Sequence, residues 1–368
     1  MQFGKKIVVF TMLIANIVVA VIMIITLLGS VISPQKLILP AYTTLIFPLI
    51  ILLNFAFVVF WIILRKWLFF ISLLLVIISF THIRNTFPIH FNKPEIIEQG
   101  KTISILTYNT MMNEAVKKHT KAKPNKVIQY ILDTDADIVC LQEFAVGYTK
   151  NDLSHEDINR IFSNYPYKQI VYKLSQGWCM YGMATFSKFP IINKDTVDFK
   201  SETNLSIYSD IVIGNDTIRF INNHLESNRL THQDKAKAIA LKNNFNTDNL
   251  TETTLHLSRK LGVAYKARAA QADVLEGLIN ESPYKLVVIG DLNDVPSSYT
   301  YTKVKGKKLK DAFAETGTGL GWTFNQFIYR FRIDYVFYDP ELKLVDFKVS
   351  RFRASDHYPV HCKLKIEN

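Results

Sequence analysis

Between Ile7 and Ile32 the chain carries no charged residue, and no other feature narrows its fold as far. A helix through these about 26 residues would be about 39 Å long at ~1.5 Å per residue, more than the ~30 Å hydrocarbon core of a bilayer. It can span with some tilt. Two further uncharged stretches follow, Leu37 to Leu64 with Pro40, Pro48 and Asn54, and Trp67 to about Phe80. We read residues 1–87 as a membrane region with about three transmembrane helices, at 7–32, 37–64 and 67–86. A signal peptide is the alternative for the first segment, but its apolar run exceeds the ~7 to 15 residues of a signal core and further spans follow at once. Lys5, Lys6, Arg65 and Lys66 then share one side, against Lys36 and Arg84 on the other. Positive-inside weighting places the first group in the cytoplasm, so three crossings put everything after about Phe87 on the extracytoplasmic side. A re-entrant third segment would reverse that side.

The apolar excess behind the 49% hydrophobic composition sits in these segments, whereas most of the +11 net charge lies beyond them. A basic surface attracts phosphate-rich partners, nucleic acid or anionic lipid headgroups, and equally serves solubility alone. Cys140, Cys179 and Cys362 form no even disulfide framework and no Cys-x-x-Cys pair. Cys140 and Cys362 lie in apolar runs, where a small buried thiol is the default. Residues 88–101, with Pro88 and Pro94, read as a linker, and 102–368 as one soluble domain with ample length for a core. Strand patterns at 103–108, 138–142, 183–187, 206–213, 218–222, 286–289, 333–338, 343–350 and 360–366 interleave with helical ones at 125–132 and about 232–279. That order argues for an α/β sandwich of two packed sheets covered by helices.

Several strands end in residues that carry chemistry. Val287-Val288-Ile289-Gly290-Asp291-Leu292-Asn293-Asp294 breaks an apolar run into an acid and an amide. Taken alone, such a turn usually caps local backbone. Asn109 follows a strand and is equally an ordinary turn-former. Glu143 ends a strand apolar enough to hold Ile, Val, Cys and Leu in succession, where an isolated carboxylate needs a cation or several donors. His224 follows Ile218 to Ile221, and a lone histidine there is more often structural. Asp334 lies between Ile333 and Tyr335 and wants a partner, which His357 in Ser355-Asp356-His357-Tyr358-Pro359 can supply. Neighbours in sequence, Asp356 and His357 should face different partners.

In order and wording, Asn109, Leu-Gln-Glu at 141–143, Asn-x-His at 222–224, Gly-Asp-Leu-Asn-Asp at 290–294, Arg-Ile-Asp-Tyr at 332–335 and Ser-Asp-His-Tyr-Pro at 355–359 resemble the endonuclease/exonuclease/phosphatase (deoxyribonuclease-I-like) superfamily. Gly182 to Ser187 before Pro190, and Gly321-Trp322-Thr323-Phe324, add to the likeness, which covers about residues 102–366. The resemblance implies a four-layered α/β sandwich, here preceded by transmembrane helices. It implies a Mg²⁺- or Mn²⁺-dependent hydrolase of phosphoesters, with Glu143 the principal metal ligand, Asn109 close by and Asp356 a second or water-mediated ligand. By the same resemblance Asp291 and Asn293 position or deprotonate the attacking water, Asp334 orients His357, and His224 adds a donor to the developing charge. Oxygen ligands suit such hard cations.

Two departures stand out. Residues 228–266 read as a helical insertion carrying Lys235, Lys237, Lys242, Arg259, Lys260 and Lys266, either a solvated basic face or a substrate-facing lid. The membrane segments favour a phospholipid or its headgroup as substrate without deciding against nucleic acid or an inositol phosphate. The bilayer is one partner, and no obligate protein partner is inferred. A non-catalytic membrane-tethered binder of an anionic partner is the alternative reading.

Overall fold

Pro40 and Pro48 punctuate the second apolar stretch, and each sits in the first turn of a separate helix, where a missing N–H costs nothing. The computed structural model describes residues 2–90, 101–112, 116–231, 233, 234, 236, 237, 247–325 and 330–366. Its N-terminal bundle comprises α1 (Gln2–Leu28), the short α2 (Leu39–Thr44), α3 (Phe47–Ile63), α4 (Phe69–Ile78) and α5 (Phe80–Thr86). The expected span 37–64 is thus two helices meeting at Leu45 and Ile46, and the expected 7–32 ends at Leu28.

The third expected span is not straight either. Helices α4 and α5 bend by 62° at Ser79, whose hydroxyl donates to the Leu75 carbonyl, a back-bond that bends helices. Beyond the bend the helix turns polar with His82, Arg84 and Asn85. Among the described residues Lys6–Leu28 is long and apolar enough to cross a membrane, or two helices are if the bent pair counts as one span. Asn16 on α1 ties the bundle together, donating to Ser72 Oγ at 2.7 Å and accepting from Trp61 Nε1 at 2.8 Å. Outside, Phe10, Val18, Leu52, Phe55, Phe70 and Ile77 are exposed.

The rest of the described chain is built on two six-stranded sheets. One runs β11 (Leu342–Val349), β12 (Val360–Ile366), β1 (Lys101–Asn109), β2 (Ile138–Gly147), β4 (Cys179–Ser187), β3 (Tyr167–Gln176). The other runs β5 (Ile191–Val197), β6 (Leu205–Ile213), β7 (Asp216–His224), β8 (Lys285–Asp291), β10 (Asp334–Tyr338), β9 (Lys310–Asp311). Because successive strand residues point to opposite faces, one set from each sheet meets in the middle. Ile103, Ile105 and Cys140 there pack with Ile218, Phe220, Val287 and Val336. The alternate set, Leu106, Val139 and Leu141, packs on α6 (Lys126–Thr134) and α7 (His155–Ile161). On the opposite outer face Ile221, Val288 and Tyr335 pack with Leu275 of α8 (Thr247–Asn280) and Val304 of α9 (Tyr299–Lys305). A last short helix, α10 (Ala312–Thr316), follows β9. These four layers are the α/β sandwich expected.

Helix α8 covers much of the expected insertion at 228–266, while Lys235, Lys242 and most of the expected linker at 88–101 lie outside the described residues. Lys260 pairs with Asp234 and Lys266 offers its carbonyl to Gln35, so the helix packs against the bundle as well as the sheet. Other ties are Tyr42 Oη to the Ser258 carbonyl at 2.8 Å, Ser297 Oγ to the Thr44 carbonyl at 2.9 Å, and the buried Arg332 to the Asn85 carbonyl at 2.7 Å. The domain docks at the end of the bundle formed by the C-terminus of α1 and the N-terminus of α3.

Candidate active site

Each sheet holds one central parallel pair, β1 with β2 and β7 with β8. Parallel strands run to the same edge, so Asn109, His224 and Asp291 end there together, and Glu143, within β2, lies next to the residue paired with Asn109. In register, His224 lies beside Asp291, and Asp291 beside Asp334 at the start of antiparallel β10. The loop before β12 adds Asp356 and His357.

Local geometry aims each group. In the pairing of β2 with β4, Glu143 is the extra residue of a bulge between Gln142 and Phe144 and takes φ 51°, which re-aims its side chain out of the strand alternation. Asn293 takes φ 53°, and its backbone N–H donates to Asp291 Oδ1 at 2.8 Å. Gly290, at φ 116°, has no room for a side chain: a Cβ would stand 2.3 Å from the Asn223 carbonyl oxygen. Ser355 Oγ donates to the Asn109 carbonyl at 2.8 Å and accepts from His357 N at 3.1 Å, fastening the histidine loop to β1. Thr323 Oγ1 accepts from the N–H groups of Ile333 and Asp334.

All eight residues expected from the sequence converge. His357 Nδ1 lies 2.9 Å from Asp334 Oδ2, while its Nε2 faces Asp291 Oδ2 at 3.7 Å. Asn109 Nδ2 donates to Asp291 Oδ2 at 3.1 Å and to Glu143 Oε1 at 3.3 Å. Its oxygen is turned to the Met111 N–H at 3.2 Å, and its amide nitrogen bridges two carboxylates. His224 Nε2 is buried 3.6 Å from Glu143 Oε1, with no hydrogen-bond partner among the described residues.

Burial and neighbours set the charges. Burial raises Asp291, with Asp334 adding to the rise and His357 opposing it, to about 7. Burial alone would lower His357, but Asp334 and Asp291 outweigh it and hold the imidazole well above its ordinary range. His224 is pushed down to about 4 by burial and then by the His357 charge. Glu143 is raised by burial and next by Asp356. A carboxylate whose ionised form is disfavoured by burial and by a second carboxylate nearby fits a divalent cation, which removes the conflict. Asp291, Asp334 and His357 also bring potential ligand atoms within 4.8 Å of one another, although His357 Nδ1 is engaged by Asp334.

Sequence reasoning missed the polar layer beneath the site. Gln142 Nε2 donates to Asn222 Oδ1 at 2.7 Å and to Thr107 Oγ1 at 3.0 Å, and Asn222 Nδ2 to the Ala184 carbonyl at 3.1 Å, stitching the two sheets together where both are buried. Both residues lie inside the quoted motifs, so a polar side chain on an inward-facing strand position was the available signal. Asp294, on its side, accepts from Arg268 Nε at 3.3 Å and Thr300 Oγ1 at 2.8 Å. The aromatic Tyr301 packs on Tyr335 and Phe337.

The sequence signature of the endonuclease/exonuclease/phosphatase family matches residues 106–357, and that of a domain of unknown function matches residues 5–86. Similar solved structures include an endonuclease/exonuclease/phosphatase from Beutenbergia cavernae, at 17% identity over 73% of this chain and 72% of that one, TM-score 0.49. A family protein from Leptotrichia buccalis shares 14% identity over 72% of this chain and 100% of its own, TM-score 0.48. TDP2 from Caenorhabditis elegans shares 18% over 73% and 77%, TM-score 0.45. No curated protein sequence matches the chain.

Proposed function

The chain belongs to the endonuclease/exonuclease/phosphatase family, and from that premise we propose that it is a membrane-tethered phosphoesterase, dependent on Mg²⁺ or Mn²⁺, that drives water onto a phosphate ester. The observation that carries this reading is the meeting of the buried Asp334–His357 pair with Asp291, Glu143 and Asp356 at one edge of both sheets.

Glu143 and Asp356 are the residues that would hold the cation, which when bound would polarise the phosphoryl group. Asp291 takes the proton of the attacking water, a task that suits a carboxylate titrating near neutrality. Asn109 and Asn293 hold it in place through the bonds at 3.1 and 2.8 Å. His357, kept cationic by Asp334, offers Nε2 to the phosphate, and His224 offers its unused Nε2 while neutral. Both place positive or donor groups where negative charge develops.

The tether rests on α1 and on the exposed apolar faces of α1, α3 and α4. Asn16, midway along α1, meets Trp61 near the end of α3, and Ser30 beyond α1 meets His82 on α5. Lys6, Arg65 and Lys66 therefore sit at the end of the bundle away from the catalytic domain. Positive-inside weighting then places that domain on the extracytoplasmic side.

The test is hydrolysis by the full chain in detergent of a panel of nucleic acids, inositol phosphates, phospholipids and bis(p-nitrophenyl) phosphate. Turnover with Mg²⁺ and its loss in EDTA are expected. No turnover on any of these, with metal-independent binding of an anionic partner, would favour the non-catalytic binder instead.

A further inference from the structure

The catalytic cavity, about 550 Å³, is not enclosed by the catalytic domain alone. Its lining joins Glu143, Asp291 and His357 to Leu45 and Ile46, the turn between α2 and α3. A second cavity of about 490 Å³ shares Leu45, Ile46, Val295 and Phe331 with the first and continues to Pro48 and Leu49. A third, of about 620 Å³, shares Pro48 and Leu49 with the second and runs along Leu52 and Phe55 to the outer side of the bundle. Leu49, Leu52 and Phe55 are exposed there. The three form one track from the carboxylates to a helix surface as apolar as lipid.

The polar end of the track is fitted differently. Tyr265 and Arg268 of α8 line the catalytic cavity, and Tyr265 Oη and Arg268 Nη2 are both buried without a hydrogen-bond partner among the described residues. A buried donor left unmatched in this way costs about 1–3 kcal/mol, which an acceptor on a bound molecule would recover. Tyr265 also stands edge-on to Tyr42 of α2, with ring centroids 5.7 Å apart. Helix α8 comes close because position 262 is glycine: a Cβ there would lie 2.6 Å from Tyr42 Oη. The wall that carries the two donors is therefore held by the membrane bundle itself.

We propose that the N-terminal helices build a chain-binding groove for a long-chain lipid phosphoester, which reaches the catalytic centre laterally from the bilayer. The phosphate lies on the cavity side of Asp291 and His357, ester or hydroxyl oxygens of the lipid meet Tyr265 and Arg268, and the hydrocarbon chain follows Leu45, Ile46 and Leu49 toward Phe55. This assignment rests on the phosphoesterase reading above and names its substrate class. A soluble phosphoester would use the polar end and leave the groove empty, so the two kinds of substrate separate in experiment.

The experiment uses the full chain in phosphatidylcholine vesicles with Mg²⁺ and two substrates, bis(p-nitrophenyl) phosphate and a long-chain phosphodiester lipid with a fluorescent headgroup. Leu49→Trp and Leu52→Trp, both outside the catalytic cavity, fill the groove without adding charge. They should lower kcat/KM for the lipid by about tenfold or more, the effect of losing a few buried methylenes, and leave the soluble ester within about twofold. Equal loss on both substrates, no loss on either, or hydrolysis of the soluble ester alone by the unmodified chain would overturn the groove. Absence of all turnover would refute the phosphoesterase reading, and the groove is then judged by a photoactivatable long-chain alkyl phosphate. Labelling of residues 46–55 that Leu49→Trp abolishes supports it, and labelling elsewhere or none overturns it.

Discussion

Replacing Asp334 by Asn removes one charge and leaves the shape. Asp334 and His357 are both buried and meet at 2.9 and 3.1 Å, so the bond is charge-assisted and dry, worth about 1.5–3 kcal/mol. Asp334 holds Nδ1, and among the described contacts the carboxylate facing Nε2 is Asp291 at 3.7 Å. The substitution should therefore lower kcat by about 10- to 150-fold. KM should change little, because Asp334 does not line the cavity. The pH dependence gives a second readout. Asp334 raises His357, so its loss lowers the imidazole pKa and moves the alkaline limb of the rate profile to lower pH. The assay is Mg²⁺-dependent release of p-nitrophenol from bis(p-nitrophenyl) phosphate across pH, with a melting curve to establish folding. A folded variant with kcat within about threefold of wild type and an unmoved alkaline limb would refute the role given to this pair.

Three further outcomes follow from the geometry. Gly290→Ala should destabilise the domain by about 2 kcal/mol or more, since the new Cβ meets the Asn223 carbonyl at φ 116°; chemical denaturation would reveal it. Gln142→Leu should lose about 1–3 kcal/mol by leaving Asn222 Oδ1 without its 2.7 Å donor, and a melting temperature equal to wild type would argue against the inter-sheet network. Glu143→Gln should raise the Mg²⁺ concentration for half-maximal activity by about tenfold or more while keeping the fold, as a metal titration of rate would show.

Much of the site was legible because short polar side chains directly follow apolar strands, and strand ends in a sandwich gather at one edge. Asp334 with His357 could be read from a buried acid that needed a partner. The bulge that turns Glu143 outward was not legible, because one extra residue in a strand leaves no mark on composition. Strands β3 and β5 escaped notice because both are sheet edges; β5 in particular has five successive exposed residues and no buried face to mark it. The break at Leu45 and Ile46 was signalled by Pro40 and Pro48, yet uniform hydropathy across 37–64 concealed it. The bend at Ser79 depends on one hydroxyl back-bond and on a domain contact distant in sequence, through Asn85 and Arg332. The groove beside the catalytic centre was invisible for the same reason: its walls come from residues some 200 positions apart.

The central claim, metal-dependent attack on a phosphoester with Asp291 as base, is tested most directly by comparing the full chain with its Asp291→Asn variant on bis(p-nitrophenyl) phosphate, each with Mg²⁺ and with EDTA. The expected result is Mg²⁺-dependent turnover that falls by about 100-fold or more in the variant and vanishes in EDTA for both. Turnover by Asp291→Asn at the wild-type rate, or undiminished activity in EDTA, would contradict it.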